Sequence, residues 1–205
     1  MQKIRLDTLE YSQLIELLGG IYEHSPWVAE QLYAEGISQA DNDIDQLASR
    51  MKAIVDATDD RAKLALLCAH PELAGKLAIA GDLTAESTAE QASAGLDKCS
   101  EAEFAQFSQL NTAYQEKFSH PFIIAVRGLA RDDILAAFQA RINNDPQTEF
   151  TTALAEVLTR SNTTLTSLGL RYNGVRTAGT KLALALAPEA ARLATLDLRQ
   201  NELGQ

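Results

Sequence analysis

Cysteine is scarce in this chain: Cys68 and Cys99 are the two in 205 residues. That scarcity excludes a disulfide framework, and His24, His70 and His120 lack the spacing of metal ligands, so no metal site is expected. Long apolar runs are absent as well. Nothing approaches the roughly 20 residues of a membrane-spanning helix. The start, Met1-Gln2-Lys3-Ile4-Arg5-Leu6-Asp7, lacks the apolar core of a signal peptide. The final Leu203-Gly204-Gln205 is not a peroxisomal tripeptide, so the expected compartment is the cytoplasm. Basic residues are outnumbered, 18 Lys/Arg against 28 Asp/Glu, for a net charge of −10. A surface of that sign argues against a nucleic-acid partner. Neither a membrane nor a catalytic cysteine is expected.

Ala and Leu dominate what is present, which favours helix. Asp7-Thr8-Leu9-Glu10 has the form of a capping box, with Leu14, Leu17 and Leu18 following and Gly19-Gly20 as a stop. Ser25-Pro26 opens a second helix. Ile44, Leu47, Met51 and Ile54-Val55 space the apolar stripe of a third, and Asp59-Asp60 opens a fourth that ends before His70-Pro71. Ser87-x-x-Glu90 and Ser100-x-x-Glu103 are further capping boxes. The second begins a long helix carrying Phe104, Phe107, Leu110, Tyr114 and Phe118. Phe122–Val126 is too short a run to classify by period. Helices are expected over 131–143 and 147–158, with Asp145-Pro146 at the turn between them.

The last quarter differs. Residues 157–205 hold six basic and three acidic side chains, a balance of +3, whereas residues 1–156 hold 12 and 25, a balance of −13. Leu165-x-x-Leu168-x-Leu170-x-x-Asn173 recurs as Leu193-x-x-Leu196-x-Leu198-x-x-Asn201, every matched position displaced by 28. This resembles a leucine-rich repeat of the ribonuclease-inhibitor type, with short strands at Leu168–Leu170 and Leu196–Leu198 and a helix near 177–187. Leucine spacing within an amphipathic helix is the competing reading. Two repeats do not bury a continuous core by themselves. The expected organisation is an all-α multi-helix domain over 1–160 and a short α/β leucine-rich-repeat-like tail over 161–205, a possible surface for a protein partner.

Ordered polar motifs run through the helical part. His70-Pro71-Glu72 comes first, then Ser87-x-x-Glu90-Gln91 with Ala94-Gly95-Leu96. Phe107-x-x-Leu110-Asn111-x-x-Tyr114-x-x-Lys117-Phe118 and Phe122-Ile123-Ile124-Ala125-Val126-Arg127-Gly128 complete the set. Taken singly, Ser87-x-x-Glu90 is a sufficient helix cap and Leu110/Tyr114/Phe118 a buried helix face. Their order over residues 4–156 resembles the 2-oxo-4-hydroxy-4-carboxy-5-ureidoimidazoline (OHCU) decarboxylase family, which acts in urate catabolism. The resemblance implies a lyase that works without a cofactor and, in most members, as a homodimer. Its small-molecule substrate carries a carboxylate and a hydroxyl on one ring carbon. Loss of carbon dioxide leaves electron density that the ring absorbs, and protonation on one face gives S-allantoin.

The resemblance further implies roles. His70 suits acid/base work because imidazole titrates near neutrality. Glu90 and Gln91 would orient or exchange protons with polar substrate groups. Pro71, Ser87 and the backbone of Phe122, Ile123 and Ile124 would contact substrate. The family's closing helix carries an Arg-Leu pair whose arginine grips the substrate carboxylate. A gapless reading puts Thr164-Leu165 there, and Arg160, one helical turn earlier, is the available substitute. Ser119-His120 also departs from the family's commoner Gly-x. The alternative function is an impaired decarboxylase-like domain serving as a binding or scaffold module through its leucine-rich tail.

Overall fold

Helix α1 (Tyr11–Leu18) begins behind Glu10, whose N–H donates to Gln13 Oε1 at 3.0 Å. The expected cap at Asp7 is not used. Asp7 lies in a 3-10 turn, Leu6–Thr8, and its carboxylate is claimed by Arg5 (2.6 Å) and Asn42 (2.8 Å). The Arg5 bond leads in holding that carboxyl down at about 2. In this computed structural model the described residues are 4–74, 92, 94–96, 99–126 and 128–172, with backbone alone described at 163 and 166–172.

Two compact units divide the chain. One contains residues up to Ala57 together with those from Ser161 on. Here α2 (Trp27–Ala34) follows Pro26 and packs against α1 and against α3 (Ile44–Ala57). Leu14, Leu18, Val28, Leu32, Leu47, Met51 and Val55 interlock as its buried side chains, following the apolar stripes of the sequence. Arg50 closes the turn before α3, donating to Gly36 O at 3.1 Å and to the buried Asp41 at 2.7 Å. Burial pushes the Tyr22 phenol up to about 12, with Ser161 as its hydrogen-bond partner.

The other unit, Thr58–Arg160, contains the candidate site. Asp59 caps α4 (Asp60–Cys68) by accepting from Ala62 N–H at 2.8 Å. Ser100 and Glu103 form the expected capping box of α5 (Glu101–Phe118). Asp133 accepts from Ala130 N–H at the start of α6 (Arg131–Arg141), which packs on α5. The buried face of α5 is Phe107, Asn111, Tyr114 and Phe118, with Leu110 only partly covered. Phe107, Tyr114 and Phe118 cluster with Leu73, Phe122, Val126, Ile134 and Phe138.

Helix α5 ends on Ser119, a non-glycine residue with φ of +63°. A Cβ there meets the following carbonyl, a strain of about 1–2 kcal/mol that glycine avoids. Ser119→Gly is therefore expected to raise stability by about 0.5–1 kcal/mol, the relieved strain exceeding the extra chain entropy of the unfolded state. Chemical denaturation should show the midpoint rising at constant slope.

The final described helix, α7 (Pro146–Tyr172), corrects the expectation of an end near 158 and of a strand at Leu168–Leu170. Asp145 starts it, accepting from Gln147 N–H (3.1 Å) and Thr148 N–H (3.0 Å). Buried positions then recur at Glu149, Ala153, Val157, Ser161 and Leu165. That helical spacing runs unbroken across the compositional seam, and no turn residue intervenes before Gly169, so the chain stays helical through the leucines. Regular structure among the described residues is all helical. The second leucine motif, Leu193–Asn201, lies outside them. No helix among the described residues is long and apolar enough to cross a membrane.

Candidate active site

His70 follows the last turn of α4, its backbone N–H donating to Leu67 O at 3.1 Å. The ring is buried, and Nδ1 lies 2.9 Å from Leu66 O. A carbonyl only accepts, so this contact puts the proton on Nδ1 and makes Nε2 the basic nitrogen. Pro71 is half-buried, Glu72 exposed and Leu73 buried. Asn111 reaches from α5 to hold this loop, its amide donating to Leu73 O at 2.9 Å. The other amide atom, Asn111 Oδ1, is buried with no hydrogen-bond partner among the described residues.

The second wall is the irregular run Pro121–Val126. Phe122 stacks on Phe138 (centroids 3.9 Å apart) and meets Tyr114 edge-on at 5.3 Å. Phe122 and Ile123 are buried, and Ile124 and Ala125 half-buried. Two contacts bring this run and the His70 loop together. Cys68 Sγ donates to Ser119 O at 3.4 Å, tying the end of α4 to the end of α5. Leu73, Ala74 and Phe122 also share one apolar cluster around Tyr114.

Polar residues that periodicity had not singled out stand behind the second wall. Glu149, fully buried, accepts from the Tyr114 hydroxyl, from Arg141 Nε (3.0 Å) and Nη2, and from Asn144 Nδ2 (2.7 Å). Arg141 lies over the Phe122 ring, 4.6 Å from its centroid, and donates to Ile123 O at 2.8 Å. Glu156 accepts from Ala125 N–H at 2.9 Å. Burial first, and the Glu149 bond second, push the Tyr114 phenol far above its ordinary value, so it remains a donor. In sequence these residues read as the solvated faces of helices. The one available hint is that Glu149 and Glu156 are seven apart, on one face of α7.

Of the other expected site residues, Arg160 is half-buried on α7 and Thr164 stands one turn beyond it. Ser87, Glu90 and Gln91 lie outside the described residues, as does Arg127. Lys117 is paired, donating to Ile142 O at the end of α6 at 2.8 Å. His120 is buried beside Tyr114 and Phe118, Nδ1 donating to Pro121 O at 2.9 Å. Burial pushes its pKa down, so it is held neutral as a packing residue.

Comparison with known proteins agrees with this architecture. The model of the family described as OHCU decarboxylase matches residues 7–159. A 2-oxo-4-hydroxy-4-carboxy-5-ureidoimidazoline decarboxylase of Haloferax volcanii is 39% identical over 155 residues, 76% of this chain and 88% of that protein. The mouse protein of the same name (Mus musculus) is 30% identical over 168 residues, 82% of this chain and 93% of its own. Among solved structures, an (S)-allantoin synthase matches with a TM-score of 0.61 at 34% identity, over 80% of this chain. This chain spans about half of that one, 52%. An OHCU decarboxylase solved in the presence of (S)-allantoin shares the fold at a TM-score of 0.58 and 20% identity, over 73% of this chain and 94% of its own. By its family match and by these relatives, the chain belongs to the OHCU decarboxylase family.

Proposed function

We propose that this protein decarboxylates 2-oxo-4-hydroxy-4-carboxy-5-ureidoimidazoline to S-allantoin. The observation that carries the reading is His70 itself: a buried imidazole, fixed by Leu66 O in one tautomer, on a loop whose Leu73 and Ala74 share an apolar cluster with Phe122. The bond between the ring carbon and its carboxylate breaks, carbon dioxide leaves, and the electron pair enters the conjugated ring. His70 then delivers a proton to one face of the neighbouring ureido-bearing carbon, while the hydroxyl loses its proton, a ring nitrogen gains one, and the carbon that held the carboxylate becomes a carbonyl. The backbone of Phe122, Ile123 and Ile124 binds substrate oxygens, with Pro71 shaping the loop. Ser87, Glu90 and Gln91 complete the site in this reading, Glu90 and Gln91 handling the hydroxyl and ureido groups. The test is decay of freshly generated substrate with and without protein, followed by absorbance and by circular dichroism of the product. Acceleration with an optically active product supports the assignment; the spontaneous rate and a racemic product reject it.

Arg160 supplies the cation for the substrate carboxylate in place of the family arginine. A charge-assisted hydrogen bond contributes about 1.5–3 kcal/mol, so Arg160→Gln should raise KM by roughly tenfold or more while kcat changes little. An unchanged KM sinks this role. The protein acts in the cytoplasm as a homodimer, which light scattering would read as twice the chain mass. The leucine-rich segment beyond Tyr172 serves as an appended interaction surface, and an unchanged dimer and activity on its removal would be consistent with that separate role.

A further inference from the structure

We infer that Glu156 and Arg141 are positioning residues of the reaction, clamping the Ile123–Ala125 backbone so that its free amides meet the substrate oxygen on which charge builds. The inference rests on the reading of Phe122–Ile124 as a substrate contact and deepens it.

The run Pro121–Val126 belongs to no helix or sheet, so no ladder fixes its peptide planes. Side chains do so instead. Arg141 Nη1 donates to Ile123 O at 2.8 Å, and Glu156 Oε2 accepts from Ala125 N–H at 2.9 Å. These two groups flank Ile124 on either side. Arg141 Nη1 also stands 3.7 Å from Glu156 Oε1, so the two grips are linked in a closed ring of backbone, guanidinium and carboxylate. Glu149 pins the far edge of the guanidinium through Nε and Nη2. The Phe122 ring supports its face. The position of Arg141 is therefore fixed along both edges and over one face.

What the ring leaves over is informative. Among the described residues, the N–H groups of Ile123 and Ile124 donate to no protein acceptor. Ile123 is buried and Ile124 half-buried, and buried amides without partners are rare in native proteins. Two adjacent unpaired donors on a clamped backbone make a preorganised site for an oxygen that gains negative charge. In the proposed reaction the ring carbonyl is such an oxygen, since the electron pair released with carbon dioxide flows toward it. Donors aimed at developing charge act on the transition state more than on the bound substrate. Loosening the clamp should therefore lower kcat and leave KM nearly alone.

Glu156 allows a clean test because its side chain is 27% exposed and the helix around it is capped independently. Glu156→Ala removes the acceptor for Ala125 N–H. Glu156→Asp keeps the charge but withdraws it by one methylene. Glu156→Gln keeps an oxygen acceptor at the original reach. The expected pattern is a fall in kcat of about 10- to 100-fold for Glu156→Ala and Glu156→Asp, with KM within about twofold, and recovery of most of kcat in Glu156→Gln. Unfolding curves of the three variants are measured alongside. Loss of stability with kcat retained in all three, or a rise in KM without a fall in kcat, overturns the inference. An inactive parent protein overturns the function itself, whereas an active parent matched by Glu156→Ala overturns the clamp alone.

Discussion

Replacing His70 by alanine is expected to lower turnover by about 10²- to 10⁴-fold, the usual contribution of a positioned acid or base. In barrier height that is about 3–5 kcal/mol. The fold should survive, because Nδ1 bonds Leu66 O at the very end of α4, while Leu66 and Leu67 hold the helix through the core. Helical circular dichroism is therefore expected to match the parent. His70→Asn separates two roles. Its amide can still donate near Leu66 O, but it cannot titrate, so it should be as slow as alanine if proton delivery is the function. The product carries a second signature. With no residue to protonate one face, whatever product forms should lose optical activity. Parent-like turnover in either variant would remove His70 from the reaction.

Glu149→Ala is expected to destabilise the protein by about 3–5 kcal/mol, the range for breaking one side of a buried ion pair. The carboxylate is fully buried and the Arg141 side chain is 12% exposed. Removing the carboxylate leaves Nε and Nη2 of the guanidinium, the Tyr114 hydroxyl and the Asn144 amide facing an empty space with no acceptor. For a chain of this size each kcal/mol moves the melting temperature by roughly 2–4 °C, so a fall of about 10 °C is expected. Tyr114→Phe removes one donor and leaves the pair intact, so its effect should be smaller, about 1.5–3 kcal/mol. Glu149→Leu combined with Arg141→Met should recover much of the loss, since a packed apolar pair can match a buried ionic one. Thermal unfolding that leaves Glu149→Ala within about 1 kcal/mol of the parent would show that water or a neighbour satisfies the cation, against the reading of a closed network.

The helices were legible where an apolar stripe and a cap coincided. Asp59 and Ser100 cap as read, and Leu47, Met51, Ile54 and Val55 are buried as read. Asp7 misled because a capping box describes local geometry alone, and a partner 35 residues away, Asn42, competes for the same carboxylate. On α5, Asn111 is buried where Leu110 was favoured, because its amide satisfies the Leu73 carbonyl of the His70 loop. The leucine pattern after Leu165 misled over its first half because period alone does not separate a short strand from a helix that is already running. The place of His70 after α4 was legible from the His-Pro pair, whereas its acid/base role was read from the order of the family motifs and is what His70→Ala tests. Arg141, Glu149 and Glu156 were not legible, since each lies on a helix where a charged residue ordinarily faces water. Their roles are created by tertiary contacts with Ile123, Tyr114 and Ala125.

The buried positions of α7, four residues apart from Glu149 to Leu165, trace a slow spiral rather than a straight line. At about 100° per residue each step of four drifts by about 40°, so the first and last of them point about 160° apart. The helix is thus keyed like a threaded shaft. Each turn of the helix inherits an angular setting fixed by the number of residues before it. Adding or deleting one residue near Arg160 would turn all that follows by about 100°, whereas a change of four would turn it by about 40°. Length within α7 is therefore constrained by its buried face, and insertions tolerated inside the helix should come in steps of three or four.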